Sequence, residues 1–272
     1  MLRRLNDVGG REEPTALDYD KLLTLSSDLG YHLLLSGAEI YRVEESVQYL
    51  LTAYGVETGE VFVIPNCVIV SLTAPGQKPI TQMRRVPGHG TDISRMEALN
   101  DLCRRLCACP PDLDRAAREL DGVIREVRHT PVAVELAAYV LLTSAFCLLF
   151  GGTARDAFCG GICGLAVGLV VPFLTRLGTN LFFKAMVGGF FCGLLAAGLT
   201  DLGVGEHIDL IITGAIMAQA PGLVITNFMR DIMAGDMMSG LVKLAEALLT
   251  GAGIALGTGV ALSLVNAVWG VL

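Results

Sequence analysis

A succession of long apolar stretches in the second half of the chain limits the possible folds more than any other feature. The stretches cover residues 132–150, 157–174, 181–199, 208–228 and about 241–272. A helix of about 20 apolar residues crosses the ~30 Å hydrocarbon core of a bilayer. The loops between the stretches are too short to give a water-facing helical bundle enough polar surface. We therefore predict an α-helical integral membrane bundle of about five spans rather than a large soluble helical protein.

Charged residues crowd the first half, and this shift in composition predicts the domain organisation. Residues 131–272 hold five of the 20 Lys and Arg residues and eight of the 27 Asp and Glu residues. Residues 1–16 are polar and predict a flexible N-terminal tail. Residues 17–130 predict a soluble domain, and residues 131–272 the transmembrane domain. The formal net charge of −7 argues against a nucleic-acid partner.

The pattern of residues 17–130 predicts an α+β domain. Two stretches of helical periodicity come first, and Gly55 suits the end of the second. Three short runs rich in β-branched residues follow, at 59–65, 66–76 and 78–86, which predicts a small antiparallel meander. Two further helices complete the domain, and Ser94 with Glu97 fits a capping box at the start of the first of them.

The distribution of Lys and Arg in the short loops predicts the orientation in the membrane. Arg125 and Arg128 precede the first span, Arg176 follows the second, and the third loop, 201–209, is acidic. By the positive-inside rule, the N-terminal domain is cytoplasmic. The chain shows no cleavable signal peptide, so we expect insertion to begin with an internal span.

Pro221 and Gly222 interrupt the predicted fourth span. Proline lacks the backbone N–H that a helix needs, and glycine weakens the same turn further. A break inside a membrane frees carbonyl groups that must face protein or water, and many transporters build binding sites in this way. A plain proline kink without a ligand is the simpler alternative, and the sequence leaves both open.

Polar and charged residues follow this break, and with it they form the candidate substrate or ion pathway. The pathway residues are Pro221, Gly222, Asn227, Arg230, Asp231, Asp236, Lys243 and Glu246. Lys243 and Glu246 share one helix face with Ser239 and Thr250. These charges either lie at the level of the lipid headgroups or line a water-filled cavity, where buried carboxylates could exchange protons.

The sequence contains no constellation that would support an enzyme. We find no nucleotide-binding loop, no Ser/His/Asp arrangement and no metal-ligand spacing, and the four His residues have no assignable partners. We therefore predict no catalytic residue, no metal and no cofactor. In the first half, Glu39, Arg42 and Glu45 form a charged helix surface, for which a solvated or salt-bridged face is the simplest interpretation.

Several short motifs together resemble the threonine/serine exporter family. They are Gly37-Ala38-Glu39, Tyr41-Arg42-Val43-Glu44, Pro221-Gly222, Arg230-Asp231, Gly235-Asp236, Gly240 and Glu246-Ala247. The resemblance runs from about Leu17 to the last span. It implies a multi-pass exporter of the bacterial inner membrane, driven by an ion or proton gradient. It also singles out Gly37, Glu39, Arg42 and Glu44 as a motif of the cytoplasmic domain.

The resemblance leaves the partner and the substrate as further expectations. Members of this family either carry a second membrane module or are split, and a chain that stops at Leu272 looks like the split form. We therefore expect a small separate membrane subunit, a homo-oligomer, or both. Arg230 and Lys243 could bind a carboxylate, and the three acidic residues of the pathway could bind an ammonium. Threonine or serine and small dicarboxylates therefore both remain candidate substrates. A membrane-anchored scaffold or sensor, whose cytoplasmic domain binds a partner, is the alternative function.

Overall fold

The computed structural model describes residues 17–88, 90–126 and 130–269, apart from the side chain of Trp269. The chain divides into two compact units, Met1–Val127 and Arg128–Leu272. The predicted N-terminal tail, residues 1–16, lies outside the described residues. We describe each unit by itself.

The first unit has the predicted order of two helices, three strands and two helices. Its elements are α1 (Tyr19–Leu35), α2 (Ile40–Ala53), β1 (Gly59–Ile64), β2 (Cys67–Leu72), β3 (Ile80–Arg85), α3 (Ile93–Ala108) and α4 (Leu113–Arg125). The strands form an antiparallel sheet in the order β1-β2-β3, with Val70 opposite both Val61 and Gln82. Short connections between β-rich runs favour this meander, as predicted.

One apolar core lies between the helices and the sheet of the first unit. Val68, Val70 and Leu72 alternate along β2 and are buried, as expected for a strand with one covered face. Gly30 of α1 allows close packing, because a Cβ at this position would lie 3.1 Å from side-chain atoms of Val47 and Val68. Burial of each large aliphatic side chain contributes about 1.5–3 kcal/mol.

The start of α3 differs from the sequence prediction. The N-cap is Asp92, whose side chain accepts a hydrogen bond from the Arg95 amide at 2.9 Å. The predicted capping box with Ser94 as N-cap is therefore wrong. A carboxylate two residues earlier already satisfies an open amide of the first turn, so the helix begins at Ile93.

The described part of the second unit, residues 130–269, contains six helices. They are α5 (Val132–Leu149), α6 (Ala154–Arg176), α7 (Leu181–Asp201), α8 (Ile208–Ile216), α9 (Gly222–Ala234) and α10 (Met237–Trp269). Among the described residues, four helices are long and apolar enough to cross a membrane, namely α5, α6, α7 and α10. The predicted fourth span, 208–228, is divided between the short helices α8 and α9.

The division falls at Pro221, where the sequence predicted a break. Residues 217–221 are not α-helical, and α9 begins directly after the proline. The break follows from the missing N–H of Pro221 and from its ring, which disfavours a continuous helix. The second helix then continues to Ala234, six residues beyond the predicted end of the span, because Gly235 is the first residue suited to end it.

Helices α7 and α10 pack closely and run parallel. The first turn of α7 meets the middle of α10, since a Cβ at Gly253 would lie 2.7 Å from the Phe182 carbonyl oxygen. Later residues meet later residues, since a Cβ at Gly193 would lie 3.0 Å from Ala261. Glycines on both helices bring the backbones together, as small residues do in membrane proteins. Two parallel neighbours require the chain between them, which contains α8 and α9, to return through the unit.

Candidate functional site

The break between α8 and α9 leaves backbone groups without helical partners. Within the described residues, no backbone amide donates to the carbonyl oxygens of Met217, Ala218 and Gln219. At the other side of the break, Gly222 donates to Ala220 at 2.8 Å, while the amides of Leu223 and Val224 have no backbone acceptor in the described part of the chain. Pro221 is the N-cap of α9 and offers no capping side chain.

These groups give the break a polar character in an otherwise apolar unit. The end of α8 presents carbonyl oxygens and the start of α9 presents N–H groups, so the two sides carry partial charges of opposite sign. Such groups cost free energy in a bilayer unless protein, water or a ligand satisfies them. The segment 217–221 therefore offers hydrogen-bond acceptors on the side of α8 and donors on the side of α9.

A tight reversal joins α9 to α10. Gly235 has a φ of +97°, in the left-handed region that glycine adopts readily. Its amide donates to Ile232 at 3.1 Å, and the amide of Asp236 donates to the Asp231 carbonyl at 2.9 Å. This cap ends α9 and turns the chain back, so α9 and α10 form an antiparallel hairpin.

The hairpin encloses an ion pair between two of the sequence-predicted residues. Lys243 Nζ lies 2.6 Å from Asp231 Oδ2, and the side chains are 10% and 0% exposed. The second carboxylate oxygen, Asp231 Oδ1, is buried without a hydrogen-bond partner among the described residues. A buried pair needs further hydrogen bonds to offset the desolvation of both ions. Asp231 therefore retains one unused acceptor in a buried position.

The remaining candidate residues lie around this pair with different exposures. Arg230 is exposed, whereas Asn227, Asp236 and Glu246 are partly buried. The predicted polar stripe of α10 faces protein over much of its length, because Ser239, Lys243 and Thr250 are buried. The structure thus brings Asp231 and Lys243 into contact across the hairpin, and it places Pro221 and Gly222 at the other end of α9.

The motif of the first unit lies in the turn between α1 and α2 and in the first turns of α2. Gly37 has a φ of +89°, and a Cβ there would overlap the carbonyl oxygen of Gly90. Arg42 Nε lies 3.0 Å from Glu39 Oε2, and Glu44 Oε1 accepts a hydrogen bond from the Val63 amide at 2.9 Å. These contacts connect α2 to the neighbouring turn and to β1. They give the four motif residues roles in holding the first unit together.

Sequence reasoning missed a second polar cluster, at the N-termini of α6 and α8. Asp156 is fully buried, and its Oδ1 accepts hydrogen bonds from the backbone amides of Glu206 at 2.7 Å and His207 at 2.9 Å. Its Oδ2 accepts from the Thr153 amide, from the Thr153 hydroxyl and from His207 Nδ1, at 2.9–3.0 Å. One carboxylate thus links the starts of two helices, and we call it the Asp156 clamp.

Ligand atoms of Asp156, Glu206 and His207 lie within 4.8 Å of one another, which is close enough for a metal ion. The hydrogen bonds already occupy both oxygens of Asp156, however, and each of them has a structural reason. The carboxylate caps α6 in a capping box with Thr153 and satisfies the amides that precede α8. The geometry therefore identifies a structural clamp between helices.

The clamp predicts a pH-dependent contribution to stability. The hydrogen bond between His207 and Asp156 raises the pKa of His207, and the nearby carboxylates of Asp209 and Glu206 act in the same direction. Glu206 also pairs with Arg155, whose Nη1 lies 3.2 Å from Glu206 Oε1. Because the pKa of His207 is higher in the folded protein than in the unfolded chain, the charged imidazole stabilises the fold fully below pH ~6.5. This stabilisation is lost as the pH rises through the pKa of the folded protein. We expect the thermal midpoint of the detergent-solubilised chain to be higher at pH 5.5 than at pH 8.5.

The control for this prediction is His207→Gln, which keeps a side-chain donor but cannot titrate. The difference between the two proteins isolates His207 from other titrating groups. If the wild type and the variant show the same change of midpoint with pH, His207 does not stabilise the clamp through its charge.

The fold and the site together define a polytopic α-helical membrane protein with a buried ion pair in the α9–α10 hairpin and a helix interrupted at Pro221, the second of which is a feature of many transporters. The sequence profile of the family described as "Putative threonine/serine exporter" matches residues 24–265. The chain belongs to the threonine/serine exporter family.

Two curated relatives extend this assignment. The chain is 27% identical over 256 residues to a protein of Mycobacterium tuberculosis named "Probable threonine/serine exporter", covering 92% of this chain and 48% of the relative. It is 23% identical over 251 residues to the "Threonine/serine exporter" of Corynebacterium glutamicum, covering 89% of this chain and 51% of the relative. The chain thus spans about half the length of these relatives. No solved structure matches it significantly.

Proposed function

We propose that the chain is a module of a secondary transporter that exports threonine, serine or similar small hydrophilic amino acids across the bacterial inner membrane. Its family and the names of its relatives support a transport function of this kind. The observation that carries the proposal is the polar break between α8 and α9, where carbonyls on one side and amides on the other have no backbone partner in the described part of the chain.

This arrangement matches the chemistry of a zwitterion. The amides of Leu223 and Val224 lie at the positive end of α9 and suit the substrate carboxylate. The carbonyl oxygens of residues 217–219 suit the ammonium. A dicarboxylate would need donor groups on both sides of the break, and α8 contributes acceptors. The geometry therefore favours an amino acid over a small dicarboxylic acid.

The same break supports a fifth membrane crossing. Because α7 and α10 run parallel, α8 and α9 together lead the chain back between them as one discontinuous span. With α5, α6, α7 and α10 this makes five crossings. Loop charges orient the bundle with its N-terminal domain in the cytoplasm.

In the proposed mechanism, the ion pair of the hairpin couples transport to a gradient. Asp231 Oδ1 is buried beside Lys243 and has no hydrogen-bond partner among the residues that the structure describes. A proton or cation that reaches this oxygen weakens the attraction to Lys243 and thereby loosens α9 from α10. Arg230, Asp236, Asn227 and Glu246 surround the pair and complete the path. The hairpin thus has one state in which the ion pair is intact and one in which α9 is loosened from α10. The difference in substrate binding between these two states supplies the coupling free energy.

The length of the relatives supports a further membrane module in the working transporter. Each relative contains about as much sequence again as the part that this chain matches. We propose that a second module, in the same polypeptide or in a small separate subunit, completes the passage around the exposed faces of α9 and α10.

The proposal is tested by efflux of preloaded threonine, and of succinate for comparison, from cells that express the chain with and without a second membrane module. Pro221→Ala restores the missing N–H and favours a continuous helix. We expect this variant to reduce threonine efflux at least tenfold while membrane insertion stays normal.

The matched control is Pro172→Ala, because Pro172 lies inside α6, which stays continuous around it. We expect near-normal efflux from that variant. Equal threonine efflux with and without the chain, in the presence of a second module, would refute the transport proposal and favour a scaffold or sensor. Succinate efflux without threonine efflux would overturn the choice of substrate.

A further inference from the structure

The side chain of a partly buried glutamine lies at the break, and only the backbone of this residue has been considered so far. Gln219 is in the non-helical segment 217–221, and its backbone N–H donates to Ile216 at 2.8 Å. Its side chain reaches α7 at Gly188, where an added Cβ would overlap Oε1. Gly188 therefore provides the space in which the amide lies.

The hydrogen bonds of this amide are incomplete. Gln219 Nε2 makes one weak contact, to Cys192 Sγ at 3.8 Å. Gln219 Oε1 is buried and accepts no hydrogen bond from any described residue. Such an orphan acceptor destabilises the fold, whereas an apolar side chain of similar size would not. An orphan at the break, in a space cleared by a glycine, indicates a donor that joins it in another state of the protein.

The chemistry of the neighbourhood restricts that donor. The amide lies against the Cys192 thiol and against Gly188 of α7, both of them neutral. The charged pair Asp231–Lys243 lies beyond nine helical residues of α9, about 14 Å along the helix axis at 1.5 Å per residue. One amino acid cannot reach both places at once. A neutral acceptor of this kind suits a hydroxyl group, while the open backbone groups of the break suit the charged ends of the substrate.

We infer that Gln219 is the specificity-determining residue of the exporter and that its Oε1 accepts a hydrogen bond from the side-chain hydroxyl of the substrate. This inference rests on the proposed function and adds to it the basis on which hydroxyl amino acids are selected. A site that hydrogen-bonds a substrate hydroxyl rejects analogues without it, because its own polar group is then left unpaired. Valine has the shape of threonine but a methyl group in place of the hydroxyl, so it is the appropriate probe.

The experiment measures binding of threonine and of valine to the purified full chain in detergent, for the wild type and for Gln219→Leu. The wild type is expected to prefer threonine at least tenfold, and the variant to lose most of this preference by weaker binding of threonine with little change for valine. Gly188→Ala displaces the amide and is expected to have the same effect. Gly198→Ala is the control. Gly198 lies on the same helix, but an added Cβ there meets nothing within 4 Å, so this variant is expected to keep the preference for threonine.

The outcomes separate this inference from the proposed function. A wild type that binds threonine with a preference unchanged by Gln219→Leu and by Gly188→Ala refutes the role of Gln219 and leaves the exporter proposal standing. A wild type that binds neither amino acid refutes the binding site at the break and with it the role of Gln219, while the export proposal is judged by efflux in the presence of a second module. Since Gly188→Ala keeps the glutamine, a defect in folding of Gln219→Leu does not prevent the test.

Discussion

Replacement of Lys243 by methionine is expected to abolish efflux and to destabilise the second unit by about 3–5 kcal/mol. The change removes one partner of a pair at 2.6 Å and leaves Asp231, which is fully buried, as an uncompensated charge. The thermal midpoint of the purified protein and the efflux of preloaded threonine are the two measurements. Arg176→Met is the matched control, because this cation is exposed at the end of α6.

The double variant Asp231→Asn, Lys243→Met separates stability from transport. Replacement of both ions removes the buried charges together, and such replacements are often neutral or stabilising. We expect the double variant to regain most of the thermal midpoint but none of the efflux, because the site for the coupling ion is gone. Recovery of efflux together with stability would mean that the pair only holds the hairpin together.

Replacement of Asp156 by alanine is expected to lower the stability by at least about 3 kcal/mol and the thermal midpoint by about 10 °C. The buried carboxylate accepts hydrogen bonds from three backbone amides, a hydroxyl and an imidazole. Its removal leaves those amides without partners at the starts of α6 and α8, where no other described side chain caps them.

Asp209→Asn is the control for this prediction. Asp209 is an exposed acid in the first turn of α8, and loss of its charge costs about 0.3–1 kcal/mol through the helix dipole. A midpoint for Asp156→Ala no lower than that of Asp209→Asn would show that the clamp contributes little.

Local signals in the sequence predicted most of the elements and the position of the break. The order of helices and strands in the first unit follows from periodicity and from glycine and proline, which act within a few residues. Pro221 predicted the end of α8 for the same reason. Hydropathy alone counts residues 208–228 as one span, because the residues on both sides of the break are similarly apolar.

The contacts between distant residues could not be predicted in this way. Asp231 and Lys243 were candidates individually, but their pairing depends on the reversal at Gly235, which brings the two helices face to face. Thr153 and Asp156 have the spacing of a capping box, so this half of the clamp could be predicted from the sequence. The half that involves His207 joins residues 51 positions apart and follows from packing of α8 against α6. Gln219 gave no signal, since its importance depends on Gly188 of another helix.

The glycine contact between α7 and α10 has a mechanical consequence for the way the bundle opens. At Gly257, an added Cβ would overlap the Met186 carbonyl oxygen, and the Thr258 hydroxyl donates to Gly189 O at 3.2 Å. Two backbones so close have no layer of flexible side chains between them that could permit sliding, so we expect these two helices to move as one rigid unit. The Asp156 clamp anchors α8 to α6. Any rocking of α7 and α10 against α6 and α8 would bend the connections between them, at residues 177–180, 202–207 and 217–221. Of these, only the break at 217–221 lies within a span predicted from the sequence, so we expect it to act as a hinge there.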